Sequence, residues 1–213
     1  MSIRHPIGDD LLLGFAAGTL PAAHDLVVAT AVSLDDDARA RLGGFETLGG
    51  ALLEQADAAP VGDDALTAVL GRLDEEEDMA PPRRICGGVF PAPLQDAVGG
   101  DLAAVRWRPV GMGARQAVLH RSPRGTARLL SIPAGQAMPD HSHRGTELTL
   151  VLTGAFRDGD LRFARGDLQV ADASTEHRPT AEPAEDCICL VVTDAPLRFA
   201  GLLPRLFQRF LGI

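Results

Sequence analysis

Apolar residues recur every three to four positions through the first part of the chain, the period of a helix that buries one face. Asp9 can cap a segment carrying Leu12, Leu13, Phe15 and Ala16, which Gly18 and Pro21 close. A second helix is expected from Ala22 to Leu34. A third begins in the run Asp35-Asp36-Asp37, where carboxylates suit the positive end of a helix dipole. It continues towards Gln55, with Gly43-Gly44 and Gly49-Gly50 as weak points or sites of close packing. The fourth opens at Asp63 and sets Leu66, Val69, Leu70 and Leu73 on one stripe before fraying in Asp74–Asp78, "DEEED".

The period changes after "MAPPRRICGGVFPAP", Met79–Pro93, whose prolines and glycine pair mark a linker. From there to about Thr193 short strands alternate with turns: "RWRPV", "RQAVLH", "ARLLSIP", "ELTLVLTG", "DLQVAD" and "DCICLVVT". A segment carrying Leu203, Leu206, Phe207 and Phe210 reads as a short closing helix. The expected fold is α + β in two domains, with an all-α bundle over residues 1–80, a linker over 81–93 and a small β-barrel or sandwich over 94–213.

Charge sharpens this division. Residues 1–80 hold four arginines against sixteen acids, whereas residues 81–213 hold sixteen arginines against thirteen acids. An acidic first half repels nucleic acid and can attract a basic protein, so no direct DNA binding is expected. The longest apolar run, Leu26–Leu34, is nine residues, too short for a bilayer, which needs about 20. The first residues lack the basic and apolar regions of a secretory signal. Three cysteines do not suggest a disulfide framework. A cytoplasmic protein with no membrane contact is expected.

Candidate chemistry concentrates in "GQAMPDHSHRGTEL". His141 and His143 stand at i and i+2, so on a strand both rings share a face, and Glu147 can join them if the chain stays extended. His177 is the strong candidate for a fourth ligand. Imidazoles with a carboxylate suit Zn, Fe, Mn or Ni, and residue types alone do not select among these. The spacing Gly135, His141, His143, Glu147, Gly154 resembles the first cupin motif at every defined position. The second motif is matched by Gly166 and His177, while its usual proline, glycine and asparagine are replaced by Asp172, Ser174 and Ala181. The resemblance implies a cupin barrel with one divalent metal held by His141, His143, Glu147 and His177. Glu176, beside His177, reads as a surface acid, the other reading being an acceptor that orients the His177 ring. Cys187 and Cys189 share a strand face about 7 Å apart by strand rise, either as buried lining groups or as a redox pair.

Beyond the barrel, "MSIRHPIGDDLLLGFAAGTL", the "LVVAT" helix, "VRWRPVGMGARQAVL" and "DCICLVVTDAPLRF" extend the similarity over nearly the whole chain. The chain resembles the ChrR family of cytoplasmic anti-sigma factors. That resemblance implies an extracytoplasmic-function (ECF) sigma factor as partner, its release under singlet-oxygen or related oxidative stress, and zinc as the metal. It departs from the family at the N-terminal zinc site: the matching positions are Pro6, Ala31, Asp35 and Ala38. One metal per chain is therefore expected, with no N-terminal zinc. The other reading of the same ligand set is a dioxygenase-like cupin metalloenzyme, or a paralogue that has lost sigma inhibition. The helical extension favours the regulator over the enzyme.

Overall fold

Capping chemistry lays out the helical part. The structure, a computed structural model, describes residues 3–73, 87–139, 141–142, 145–195 and 198–199. Helix α1 (Asp9–Ala16) carries Asp9 and Asp10 in its first turn, and α2 spans Ala22–Leu34 as the apolar period predicts. Asp35 caps α3 (Asp36–Glu54) by accepting from the Asp37 amide at 3.0 Å. The glycine pairs of α3 neither break it nor mark close packing, since a Cβ at any of them would meet nothing within 4 Å. Arg41 ties α3 back to the start of the chain through Asp9 at 2.6 Å and the Ile7 carbonyl at 2.8 Å.

Helix α4 (Ala65–Leu73) buries none of its residues. The acidic run Asp74–Asp78 and the expected closing helix lie outside the described residues, as do positions 81–86 of the expected linker. Residues 92–98 form a helix that periodicity does not reveal, α5 (Ala92–Val98). Seven residues are too few to display a period, yet the local signals are sound. Proline occupies the first turn, and Gly99 closes the helix at φ 78°. Leu94 within it and Phe90 just before it are buried.

The strands are β1 (Arg108–Gly111), β2 (Ala114–Ser122), β3 (Gly125–Ile132), β4 (His141–Ser142), β5 (Glu147–Thr153), β6 (Ala155–Asp158), β7 (Leu161–Ala164), β8 (Leu168–Ala171), β9 (Glu176–His177), β10 (Thr180–Ala181), β11 (Cys187–Thr193) and β12 (Arg198–Phe199). Among the described residues they form a six-stranded sheet, β1-β2-β3-β11-β5-β8, and two three-stranded sheets, β10-β6-β7 and β12-β4-β9. Every pairing is antiparallel.

Alternation along the central strands sends side chains to two different cores. Inside the barrel, Ile132, Val151, Cys187, Cys189 and Val191 pack with Phe156, Phe163 and Ala181 of the small sheet. On the outer face, Leu129, Leu148, Leu150, Leu190 and Val192 pack against Val27, Val28 and Ala31 of α2. This is why "CICLVVT" is apolar at nearly every position: β11 is buried on both faces. Two hydrogen bonds from the backbone amides of Arg4 and His5 to Asp167 Oδ1, at 2.6 and 2.9 Å, fasten the N-terminal segment to the barrel as well.

Candidate metal centre

Sheet geometry explains why residues far apart in sequence meet. In the β4–β9 pair, His141 stands directly opposite His177. Gly154, the last glycine of the first motif, makes the turn between β5 and β6 at φ 70°. A Cβ there would sit 2.5 Å from the Asp186 carbonyl oxygen, so only glycine serves. Glu147 opens β5, pairs in register with Thr193 and Ala171, and is buried. Of the four expected ligands, the side chains of Glu147 and His177 are described. His141 is described in its backbone only, and His143 lies outside the described residues.

His177 is buried, and its Nδ1 lies 2.7 Å from Asp158 Oδ2. The same carboxylate oxygen accepts from Gln169 Nε2 at 2.6 Å. An acceptor-only carboxylate fixes the ring with its proton on Nδ1, which makes Nε2 the lone-pair nitrogen suited to a metal. Asp158 is thus placed to orient the ring. It comes from the β6–β7 hairpin, nineteen residues earlier, and no local pattern signals it. Gln169 stands opposite Thr149 on β5, and the Thr149 hydroxyl donates to Glu147 Oε1 at 3.4 Å. Two polar pairs thus stand side by side on neighbouring strands, His177–Asp158–Gln169 and Thr149–Glu147.

Burial pushes the Glu147 carboxyl up to about 7, against the opposing pull of the Arg128 guanidinium and the Thr149 hydroxyl. A carboxylate whose charge is this costly to bury is a good partner for a divalent cation, which replaces the proton. The donor set of imidazoles and one carboxylate, a preset His177 tautomer and a buried glutamate all fit a divalent metal. The same burial has a consequence for metal-free protein. The folded state holds the Glu147 proton more tightly than the unfolded chain does. The folded state is therefore favoured below about pH 4.5, and that contribution fades as pH rises to about 7. Chemical denaturation with chelator present should show wild type losing roughly 3 kcal/mol relative to Glu147→Gln across that interval. Parallel pH profiles for the two proteins would disprove the shift.

Exchanging Asp158 for asparagine should weaken metal binding by about 10- to 100-fold, with partial recovery in Asp158→Glu. Competition against a chromophoric chelator would measure it. Unchanged affinity would remove Asp158 from the centre.

The two cysteines are closer than strand rise implies. Their sulfurs are 3.6 Å apart, both fully buried, where the β11–β5 ladder slips between Ile188 and Cys189. The hydrogen bond it shares with Cys187, burial, and the charges of Cys187 and Glu147 all push the Cys189 thiol well above its usual range. Cys189 therefore stays a thiol that lines the barrel, a poor nucleophile.

In the helical part, three of the four positions matching the family's N-terminal zinc ligands serve packing and capping, and Pro6 is exposed. Ala31 and Ala38 are buried in the apolar core, and Asp35 caps α3. The His5 ring lies against Phe163 with centroids 4.4 Å apart. Burial pushes the His24 imidazole below its usual range, with Asp194 and Asp25 opposing that shift.

Comparison with known proteins agrees with this architecture. A model of the ChrR cupin-like domain matches residues 95–196. The anti-sigma-E factor ChrR of Cereibacter sphaeroides is 51% identical over 213 residues, which cover 100% of both chains. The crystal structure of Rhodobacter sphaeroides SigE in complex with the anti-sigma ChrR matches at a TM-score of 0.80 and 49% identity, covering 91% of this chain and 100% of that one. An RmlC-like cupin protein from Ralstonia eutropha gives a TM-score of 0.43 at 24% identity, over 53% of this chain and 83% of that one. With helices followed by a cupin-like sheet domain and a full-length relative at this identity, the chain belongs to the ChrR family of anti-sigma factors.

Proposed function

We propose that this chain sequesters an ECF sigma factor through the exposed apolar surface of α3 and α4, while its barrel holds one divalent metal that tunes release. The observation that carries the first half is the exposure of Leu48, Leu52 and Leu53 on α3 and of Leu66, Val69, Leu70 and Leu73 on α4, each more than half open to solvent. Monomeric proteins seldom leave so many large apolar side chains exposed together unless a partner covers them. The acidic character of residues 1–80 complements the basic surfaces with which a sigma factor meets promoter DNA, and speeds encounter more than it adds affinity.

The metal reading assigns His141, His143, Glu147 and His177 as ligands, with zinc the metal expected of the family and Fe, Mn or Ni able to fill the same donor set. When bound, the metal supplies a Lewis acid and a cross-link between β4, β5 and β9. Asp158 holds the His177 proton on Nδ1, and the Thr149 hydroxyl donates to Glu147. Release of the sigma factor under oxidative stress of the singlet-oxygen type belongs to the same reading. The domain division at residues 80 and 94 and a cytoplasmic location belong to the same reading.

Co-purification of the full chain with each ECF sigma factor of its source, with metal analysis of the complex, tests both halves. A stable one-to-one complex carrying about one metal per chain is the expected result. Failure to bind any sigma factor under reducing conditions, with metal in place, would overturn the anti-sigma half alone.

A further inference from the structure

The six-stranded sheet ends unevenly at β1. That strand has four residues and pairs only with Ala114, Arg115 and Gln116, whereas β2 runs on to Ser122. Beyond Gln116, β2 pairs with β3 on one side, and no strand pairs with it on the other among the described residues. An open strand edge presents a row of backbone N–H and C=O groups to whatever lies beside it. Here Ala117, Val118 and Leu119 line a groove of about 1060 Å³, together with side chains from residues 97–106. That volume exceeds the roughly 300–1,000 Å³ of most small-molecule pockets. At about 3.4 Å per residue, the open run of residues 117–121 is about 17 Å long, which suits a short extended peptide.

Charge says what kind of peptide. Residues 102–139 carry six arginines and no aspartate or glutamate, in a chain whose net charge is -9. Arg106, Arg108 and Arg121 line the groove. Among the described residues, Arg106 and Arg108 make no hydrogen bond or ion pair. Val98, Val105 and Val118 give the same groove its apolar surface. Charge and proline on an edge strand commonly serve to keep other strands away. Strand β1 fits that role, with Arg108 and Pro109 on it. The open part of β2 does not, since Ala117, Val118, Leu119 and His120 include neither proline nor arginine.

We propose that this groove docks an extended acidic segment of a partner protein, which adds to the open edge of β2 and sets its carboxylates against Arg106 and Arg108. Strand addition supplies backbone hydrogen bonds whatever the sequence, and the guanidinium groups select acidic side chains. Neither Glu147, His177 nor the exposed leucines of α3 and α4 line the groove, so the proposal depends on neither the metal nor the sigma-factor reading. The competing role for these arginines is to keep the protein soluble and its sheet edge unpaired, which takes no partner.

The two roles separate in the full-length chain, by fluorescence anisotropy of a labelled, blocked peptide of about seven residues alternating glutamate and valine. Wild type should bind it saturably, and the lysine–valine counterpart should not bind. Arg106→Ser combined with Arg108→Ser should weaken the acidic peptide by about tenfold or more, the scale of lost charge-assisted contacts. Both side chains are exposed, so the double variant should keep the circular dichroism of wild type. Two further peptides separate strand addition from charge attraction alone. One is N-methylated at its odd residues and the other at its even residues, so each loses the donors of one edge. An added strand pairs through one edge, so one of the two should lose about tenfold or more while the other keeps its affinity. Equal losses from both would overturn the proposal, as would no binding of the acidic peptide, equal binding of the lysine peptide, or unchanged affinity in the double variant. An occupant from within the chain would overturn it too: wild type would then bind nothing, while a variant with the acids of residues 74–78 changed to their amides would bind the peptide. If the double variant does not fold, the two N-methylated peptides on wild type still decide.

Discussion

Leu70→Asp in the full-length chain should weaken sigma-factor binding by about 100-fold or more while leaving the fold unchanged. The two halves of this expectation have separate causes. Leu70 is 51% exposed, and α4 buries none of its residues. A carboxylate there costs the free protein little. In the complex, the same side chain is expected to sit in an apolar contact formed with Leu66, Val69 and Leu73. Forcing an unpaired charge into such a contact, together with the lost apolar burial, costs about 3 kcal/mol or more. At about 1.4 kcal/mol per factor of ten, that is roughly two orders of magnitude. Leu70→Met should bind nearly as well as wild type because it keeps volume and polarity. Circular dichroism would check the fold, and calorimetry with a purified ECF sigma factor would check affinity. Wild-type affinity in Leu70→Asp would place the contact elsewhere.

Replacing both His141 and His177 by alanine should empty the metal centre, taking metal content from about one equivalent per chain to nearly none. These residues oppose one another in the β4–β9 pair, so the double change removes two donors from one corner of the site. What remains, His143 and Glu147, is too few ligands for tight divalent binding in water. Metal binding is also folding energy wherever it cross-links strands, and β4 and β9 are only two residues each. The double variant should therefore unfold at lower denaturant concentration than wild type, by an amount similar to that caused by chelator on wild type. Elemental analysis checks the first statement and denaturation with and without chelator the second. Full metal content in the double variant would sink the ligand assignment, and two equivalents in wild type would reveal a second centre in the helical part.

Much of the architecture was legible because local chemistry and tertiary structure agree. The second helix came out at Ala22–Leu34 because its apolar run is bounded by Pro21 and Asp35. The long strands β2, β3, β5 and β11 were visible as β-branched and alternating runs. Short elements were not. Strands β4, β9, β10 and β12 have two residues each, and such strands exist only because a neighbour pairs with them. The glycine pairs of α3 misled in the opposite direction. Glycine lowers helix propensity, but capping by Asp35 and anchoring by Arg41 outweigh that cost.

By itself, the sequence determined the helical start, the change to strands, the spacing from His141 to Glu147 and the Leu66–Leu73 stripe. Each of these is written in neighbours along the chain, within the reach of one helix turn or one strand face. Tertiary structure alone decided the partnership of Asp158 with His177, the 3.6 Å approach of the Cys187 and Cys189 sulfurs, the burial of Arg128 and the packing of α2 on the barrel. These depend on register across strands and on which sheet face a helix covers. Register is set by the summed burial of many residues, and no short stretch of sequence carries it.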